Sequence, residues 1–154
     1  MIPFARGKSR SLSVPQLLKK VNDLESQGVQ EVVLTGVHIG DYLDEQTPGG
    51  PFALDDLVEQ VLFKSKSIRV RMTSLEPVEL TEKLMDLFQH PRLCPHFHMS
   101  LQSFSDPVLQ GMRRQYQVKD IFKALEWIEN SLPQSFVGLD MIVVDYIQLM
   151  RGTF

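Results

Sequence analysis

The chain has a single cysteine, Cys94, among 154 residues. One thiol excludes an internal disulfide and any metal centre built from several cysteines, and it suits a reducing compartment. A basic excess is missing too: 16 lysines and arginines face 19 aspartates and glutamates, a formal net charge of −3. Chains that track nucleic-acid phosphates carry the opposite balance, so the composition does not suggest an electrostatic nucleic-acid binder. No apolar run approaches the roughly 18 residues of a membrane span. No apolar stretch follows the basic residues Arg6, Lys8 and Arg10, so a secretory signal is not expected. These absences point to the cytoplasm, away from any membrane.

What is present is ordinary for a globular domain. The apolar share is 43% and the charged share 23%, enough for one cored domain over residues 1–154. Ser13 and Gln16 have capping-box spacing. Val14, Leu17, Leu18, Val21 and Leu24 then recur at helical period, and Gly28 stands at the C′ position. Residues 31–35 read as a short buried strand and residues 47–51 as a loop. Leu54, Leu57, Val58, Val61 and Leu62 mark a second helix. Strands follow around Ile68, Val70 and Met72, around Phe97, Met99 and Leu101, and from Phe136 to Val144. Helices between them carry Leu80, Leu84, Leu87 and Phe88, then Asp106 as N-cap with Pro107, then Ile121, Phe122, Leu125 and Ile128. Trp127 shares the last stripe and reads as packing. About four strands alternating with helices predict an α/β fold with a mostly parallel sheet. Right-handed crossovers leave an open doubly wound sheet or part of a βα barrel.

In such sheets, ligands bind beyond the C-terminal strand ends. The first strand runs into Thr35-Gly36-Val37-His38-Ile39-Gly40, the second into Thr73-Ser74-Leu75-Glu76-Pro77, the third into Ser100-Leu101-Gln102-Ser103 and the fourth into Asp145. Each strand delivers hydroxyl, amide or carboxylate groups to one edge, which predicts a ligand site there. Loop polarity and helix capping are the plainer alternative.

These segments resemble the radical-SAM methylthiotransferases. The similarity starts with Ile2-Pro3-Phe4-Ala5-Arg6-Gly7 and continues in order through Leu34 to Gly40, Ser74-Leu75-Glu76-Pro77, Leu101-Gln102-Ser103 with Ser105-Asp106, Met112-Arg113-Arg114 and Asp140-Met141-Ile142-Val143. It is most similar to the subgroup acting on threonylcarbamoyladenosine in tRNA. The resemblance implies a partial (β/α) barrel of the radical-SAM type, using S-adenosylmethionine and a [4Fe–4S] cluster to insert a methylthio group. It also implies Thr35 and Gly36 near the methionine part of the cofactor, and Glu76, Gln102 and Ser103 near its polar groups and ribose. Arg114 and Arg6 become candidates for the cofactor carboxylate or RNA phosphate, both suited to guanidinium forks.

Three departures qualify that expectation. The family holds its cluster on C-x3-C-x2-C, and the pattern places those cysteines before Met1. A truncated core is therefore expected, with no cluster bound, no radical chemistry by the chain alone, and weak or absent tRNA binding. Phe104 stands where the family has glycine, and its ring is expected to project toward the cofactor. From Val144 to Gly152 the sequence resembles the Walker-B strand of replicative helicases instead, yet no phosphate loop accompanies it. A fused or engineered chain, or a non-catalytic α/β scaffold, is the alternative. Unpaired sheet edges would favour a homodimer.

Two smaller groupings add expectations. His96 and His98 share a strand face at a spacing able to hold a metal, with Glu76 or His38 the nearest candidates for a third ligand. Two histidines at a strand start read more simply as solvated or hydrogen-bonded to backbone, and no metal site is expected. Glu76 and Asp145 could pair as acid and base, but strand-end carboxylates commonly cap helices, and no catalytic residue is expected.

Overall fold

The computed structural model describes residues 10–142. Strands β1 (Glu31–Leu34), β2 (Arg69–Met72), β3 (His96–Gln102) and β4 (Phe136–Met141) alternate with helices α1 (Val14–Ser26), α2 (Leu54–Lys64), α3 (Glu82–Leu87), α4 (Asp106–Gly111) and α5 (Val118–Ser131). β1 and β2 pair in parallel, from Glu31 opposite Arg69 to Leu34 opposite Met72. β3 and β4 pair likewise, from His96 opposite Phe136, with an irregularity between Met99 and Gln102. Parallel bridges Val70–Leu93 and Leu75–Met99 join the two halves. There the Cys94 N–H donates to the Val70 carbonyl at 2.8 Å, and the Leu75 N–H to that of His98 at 3.0 Å.

Spatial order therefore follows chain order. With right-handed crossovers, an unbroken order keeps the helices on one face and lets the sheet curl, whereas a doubly wound sheet needs a reversal of order. Of the two architectures open from sequence, this is the partial barrel.

The two faces of the sheet differ in chemistry because side chains alternate. Val70 and Met72 of β2, and Phe97, Met99 and Leu101 of β3, are buried against the helices. They meet Leu57, Val58, Val61 and Leu62 of α2, Leu84 and Met85 of α3, and Ile121 and Ile128 of α5 in one core. Each such side chain contributes about 1.5–3 kcal/mol by leaving water. The other face carries Glu31, Arg71, His98 and Asp140, joined by Arg71 to Glu31 at 2.8 Å and His98 to Asp140 at 3.1 Å.

Several local expectations shift. The half of the capping box that forms is Ser13 N–H to Gln16 Oε1 at 3.3 Å. The Ser13 hydroxyl makes no cap bond, and a different free N–H of the first turn, that of Val14, is taken by Asp44 Oδ2 at 2.7 Å. Gly28 closes α1 at φ +86°, as a C′ glycine does. Asp106 is not the N-cap of α4. Ser105 holds that position, and Asp106 accepts the Val118 N–H at 2.7 Å, capping α5 instead. β1 was expected to be buried, yet Val33 is 49% exposed, because among the described residues no helix packs on that face of the sheet. The last strand is seen to Met141; Val143 onward, with Asp145 and the helicase-like tail, lies outside the described residues.

Candidate functional site

Three consecutive strand ends build the site. After β1, exposed Thr35 and Gly36 lead into a single 3-10 turn, Ile39–Asp41, pinned by the buried Ile39. After β2, Ser74 adopts φ +62°, and Glu76 starts a second single turn, Pro77–Glu79. After β3, Gln102 adopts φ +67°. The Ser103 hydroxyl there accepts the Ser105 N–H at 3.2 Å. Non-glycine residues at positive φ cost on the order of 1–3 kcal/mol and gather at functional sites. Both Ser74 and Gln102 pay that strain at a strand end. Arg113, at φ +59°, is different, because it is the left-handed residue that ends α4 and turns the chain to present Arg114.

A cluster of charges sits under this edge. Glu76 is buried, and its Oε1 accepts a hydrogen bond from the Arg114 guanidinium. The Glu76 N–H donates to Glu79 Oε2 at 2.8 Å, so the turn folds one carboxylate back beside the other. His38 Nε2 lies 3.4 Å from Glu76 Oε1 and 3.4 Å from Glu79 Oε1, while its Nδ1 is 3.1 Å from Asp41 Oδ1. Glu79 Oε1 is buried and accepts no hydrogen bond. Gly40 makes room for it, since a Cβ at that position would run into the Glu79 carboxyl. Burial pushes the Glu79 carboxyl up, and the charges of Glu76 and Asp41 push the same way. For His38, burial opposes the charged ring, but the carboxylates of Glu79, Asp41 and Glu76 outweigh it and raise its pKa. The Tyr116 hydroxyl, 3.0 Å from the carbonyl oxygens of Ser100 and Leu101, holds the end of β3 in place.

The residues nominated from sequence therefore share one edge: Thr35, Gly36, Glu76, Gln102 and Ser103 by strand position, and Arg114 through Glu76. Arg114 is already engaged by that carboxylate. Arg6 lies outside the described residues. Sequence reasoning named Gly40 only within its motif and overlooked Asp41 and Glu79, although Glu76 and Glu79 flank a proline-led turn at a spacing that brings both carboxylates together.

Other expectations are redistributed. His96 stacks on Phe136 with ring centroids 4.8 Å apart, and His98 is taken by Asp140. Glu76 and His38 gather around Glu79 instead of approaching that pair. Phe104 does not project over the strand ends. Its ring packs on Phe122 of α5 at 5.8 Å, and its backbone needs no positive φ. Cys94 is buried before β3, with Arg69 3.3 Å and Glu31 3.5 Å from its sulfur. That is the N-terminal end of the strand, opposite the edge where the site forms. No helix among the described residues is long and apolar enough to cross a membrane.

Comparison with known proteins agrees with this architecture. Residues 1–147 match the Radical SAM superfamily. A threonylcarbamoyladenosine tRNA methylthiotransferase of Treponema pallidum is 37% identical over 92% of this chain and 28% of its own length. A tRNA-2-methylthio-N(6)-dimethylallyladenosine synthase of Thermodesulfovibrio yellowstonii is 31% identical over 93% of this chain and 32% of its own length. The chain thus spans about a third or less of these relatives. Among solved structures, a cobalamin-dependent S-adenosylmethionine radical enzyme with aqua-cobalamin and S-adenosylmethionine bound superposes with a TM-score of 0.64. It is 12% identical, over 91% of this chain and 21% of that one, and shows the fold alone.

Proposed function

The chain belongs to the Radical SAM superfamily, and from that premise we propose that it is part of the core of a tRNA methylthiotransferase, holding S-adenosylmethionine but not the iron–sulfur cluster. The observation that carries the cofactor reading is the paired backbone strain at Ser74 and Gln102, on adjacent strand ends beside Thr35 and Ser103. Strain kept at two neighbouring strand ends fits an edge shaped for a ligand.

The donor set suits the cofactor. Hydroxyls of Thr35 and Ser103 and the amide of Gln102 offer donors and acceptors for a ribose, and the open backbone at Gly36 allows close approach. Glu76 holds Arg114 at the edge, where the guanidinium's remaining donors suit a carboxylate. Bound there, the cofactor would supply a sulfonium as its reactive group. The residues do not fit the cluster itself. Several thiolates hold such a group, whereas the one thiol here is buried at the far end of β3 between Arg69 and Glu31. No radical step is assigned to this chain alone. The charge balance likewise gives this part of the protein a small share of tRNA affinity.

Calorimetric titration of the purified chain with S-adenosylmethionine tests the reading. One site, weakened at least tenfold by Gln102→Ala, is expected. No heat at all would favour a non-catalytic scaffold. Anaerobic reconstitution should leave the protein without stoichiometric iron; about four irons per chain would overturn the second half of the proposal. Pairing through the β1 and β4 edges belongs to the same proposal, and light scattering should give the mass of a dimer.

A further inference from the structure

We propose that His38, Glu76 and Glu79 form a binding site for one divalent transition-metal ion, of which Zn²⁺ is the natural probe, separate from any iron–sulfur chemistry. The three side chains are the one set of metal-ligating groups that converges among the described residues. The Glu79 side chain is 10% exposed, and its Oε1 accepts no hydrogen bond. A buried carboxylate oxygen without a donor needs an explanation, and this one faces the His38 ring.

A proton on His38 does not supply it. Nε2 carries at most one hydrogen, yet it stands 3.4 Å from both Glu76 Oε1 and Glu79 Oε1. That is long for either hydrogen bond, and a proton shared between the two would serve both poorly. The same separations suit a shared cation. Zn²⁺ with ligands at about 2.0–2.1 Å in tetrahedral geometry sets neighbouring ligand atoms roughly 3.3–3.4 Å apart. One imidazole with two carboxylates is a donor set for zinc or a neighbouring transition ion more than for Mg²⁺ or Ca²⁺, which prefer oxygen throughout.

The surroundings have the form of an outer shell. Asp41 Oδ1 lies 3.1 Å from His38 Nδ1, an arrangement that places the proton on Nδ1 and turns the Nε2 lone pair toward the two glutamates. Arg114 donates to Glu76, as donors commonly do to ligating carboxylates. His38 is 40% exposed and gives the ion a path to solvent and room for a water in the fourth position. Loaded, the ion would cross-link the turn after β1 to the turn after β2 and fix the edge on which the cofactor reading depends. The site itself does not rest on that reading.

The intact chain, without a histidine tag and after chelator treatment, would be titrated with ZnCl₂ against a chromophoric chelator. One equivalent should bind, at least tenfold more tightly than to Glu79→Gln or His38→Gln, with His96→Gln unchanged. Co²⁺ substitution should give the intense visible ligand-field bands of a tetrahedral site, lost in His38→Gln. His38 is partly exposed, so that variant should keep the parent far-UV circular dichroism. Equal affinity in parent and variants, loss of binding on His96→Gln instead, or no binding by the folded parent would each overturn the proposal.

Discussion

Glu25 and Asp44 on one side, Glu76 and Glu79 on the other, are carboxylates that the fold treats in opposite ways. Glu25, at the end of α1, collects the N–H groups of Lys66, Ser67 and Ile68 at 2.6–3.1 Å. Asp44 collects those of Val14, Gln46 and Thr47 and the Thr47 hydroxyl at 2.6–3.2 Å. Backbone donors lower the Glu25 pKa to about 2; for Asp44 the Thr47 hydroxyl leads, followed by the Val14 N–H, again to about 2. Glu76 and Glu79 instead stand side by side under the strand ends, with one arginine, one histidine and an oxygen left over. The first pair organises loops that have no other partner for their N–H groups. The second concentrates like charge where burial makes it costly, an arrangement that fits the proposed metal site.

The sharpest way to break the contrast is Arg114→Ala. It leaves Glu76, 7% exposed, without its cation, and should cost about 2–4 kcal/mol in urea unfolding. Gly40→Ala comes next. The new methyl displaces the Glu79 carboxyl, with an expected loss of about 1–3 kcal/mol. Glu79→Gln and Asp44→Asn should then move stability in opposite directions. The first removes a like charge and lets an amide donate to Glu76, raising stability by about 1 kcal/mol in chelator-treated buffer. The second weakens four accepted hydrogen bonds and should lower the melting temperature. A loss in both would erase the distinction.

The smallest effects are slopes with pH. Glu25 and Asp44 have folded pKa values below their ordinary ones of 4.5 and 3.8. Their stabilisation is present above those ordinary values and is lost as pH falls toward about 2. His38 and Glu79 are raised instead. Their contributions are full below the ordinary values of 6.5 and 4.5 and fade as pH rises through the raised ones. Urea midpoints across pH should therefore flatten on the acid side in Glu25→Gln, and on the neutral side in Glu79→Gln. A single slope shared by all variants would contradict this.

Helix periods, the C′ role of Gly28 and the alternation in β3 were all readable from sequence, because each depends on residues within a few positions. The C-terminal edge was readable too, since parallel pairing sends every strand's following loop the same way. Phe104 was misjudged because a glycine-to-phenylalanine change does not say which way the ring turns; Phe122, on a helix that starts well downstream, decided it. Asp106 was assigned to the helix it begins, while its carboxylate serves the next one.

By itself the sequence determined an α/β chain with ordered motifs at its strand ends, a single cysteine, and a slight excess of acidic over basic residues. The tertiary structure alone decided that the sheet keeps chain order and curls, that Arg114 pairs with Glu76, and that His38 meets Glu76 and Glu79 from a separate loop. Those outcomes depend on distances between residues far apart in the chain. Local propensity does not encode such distances; burial and pairing set them only when the whole core closes.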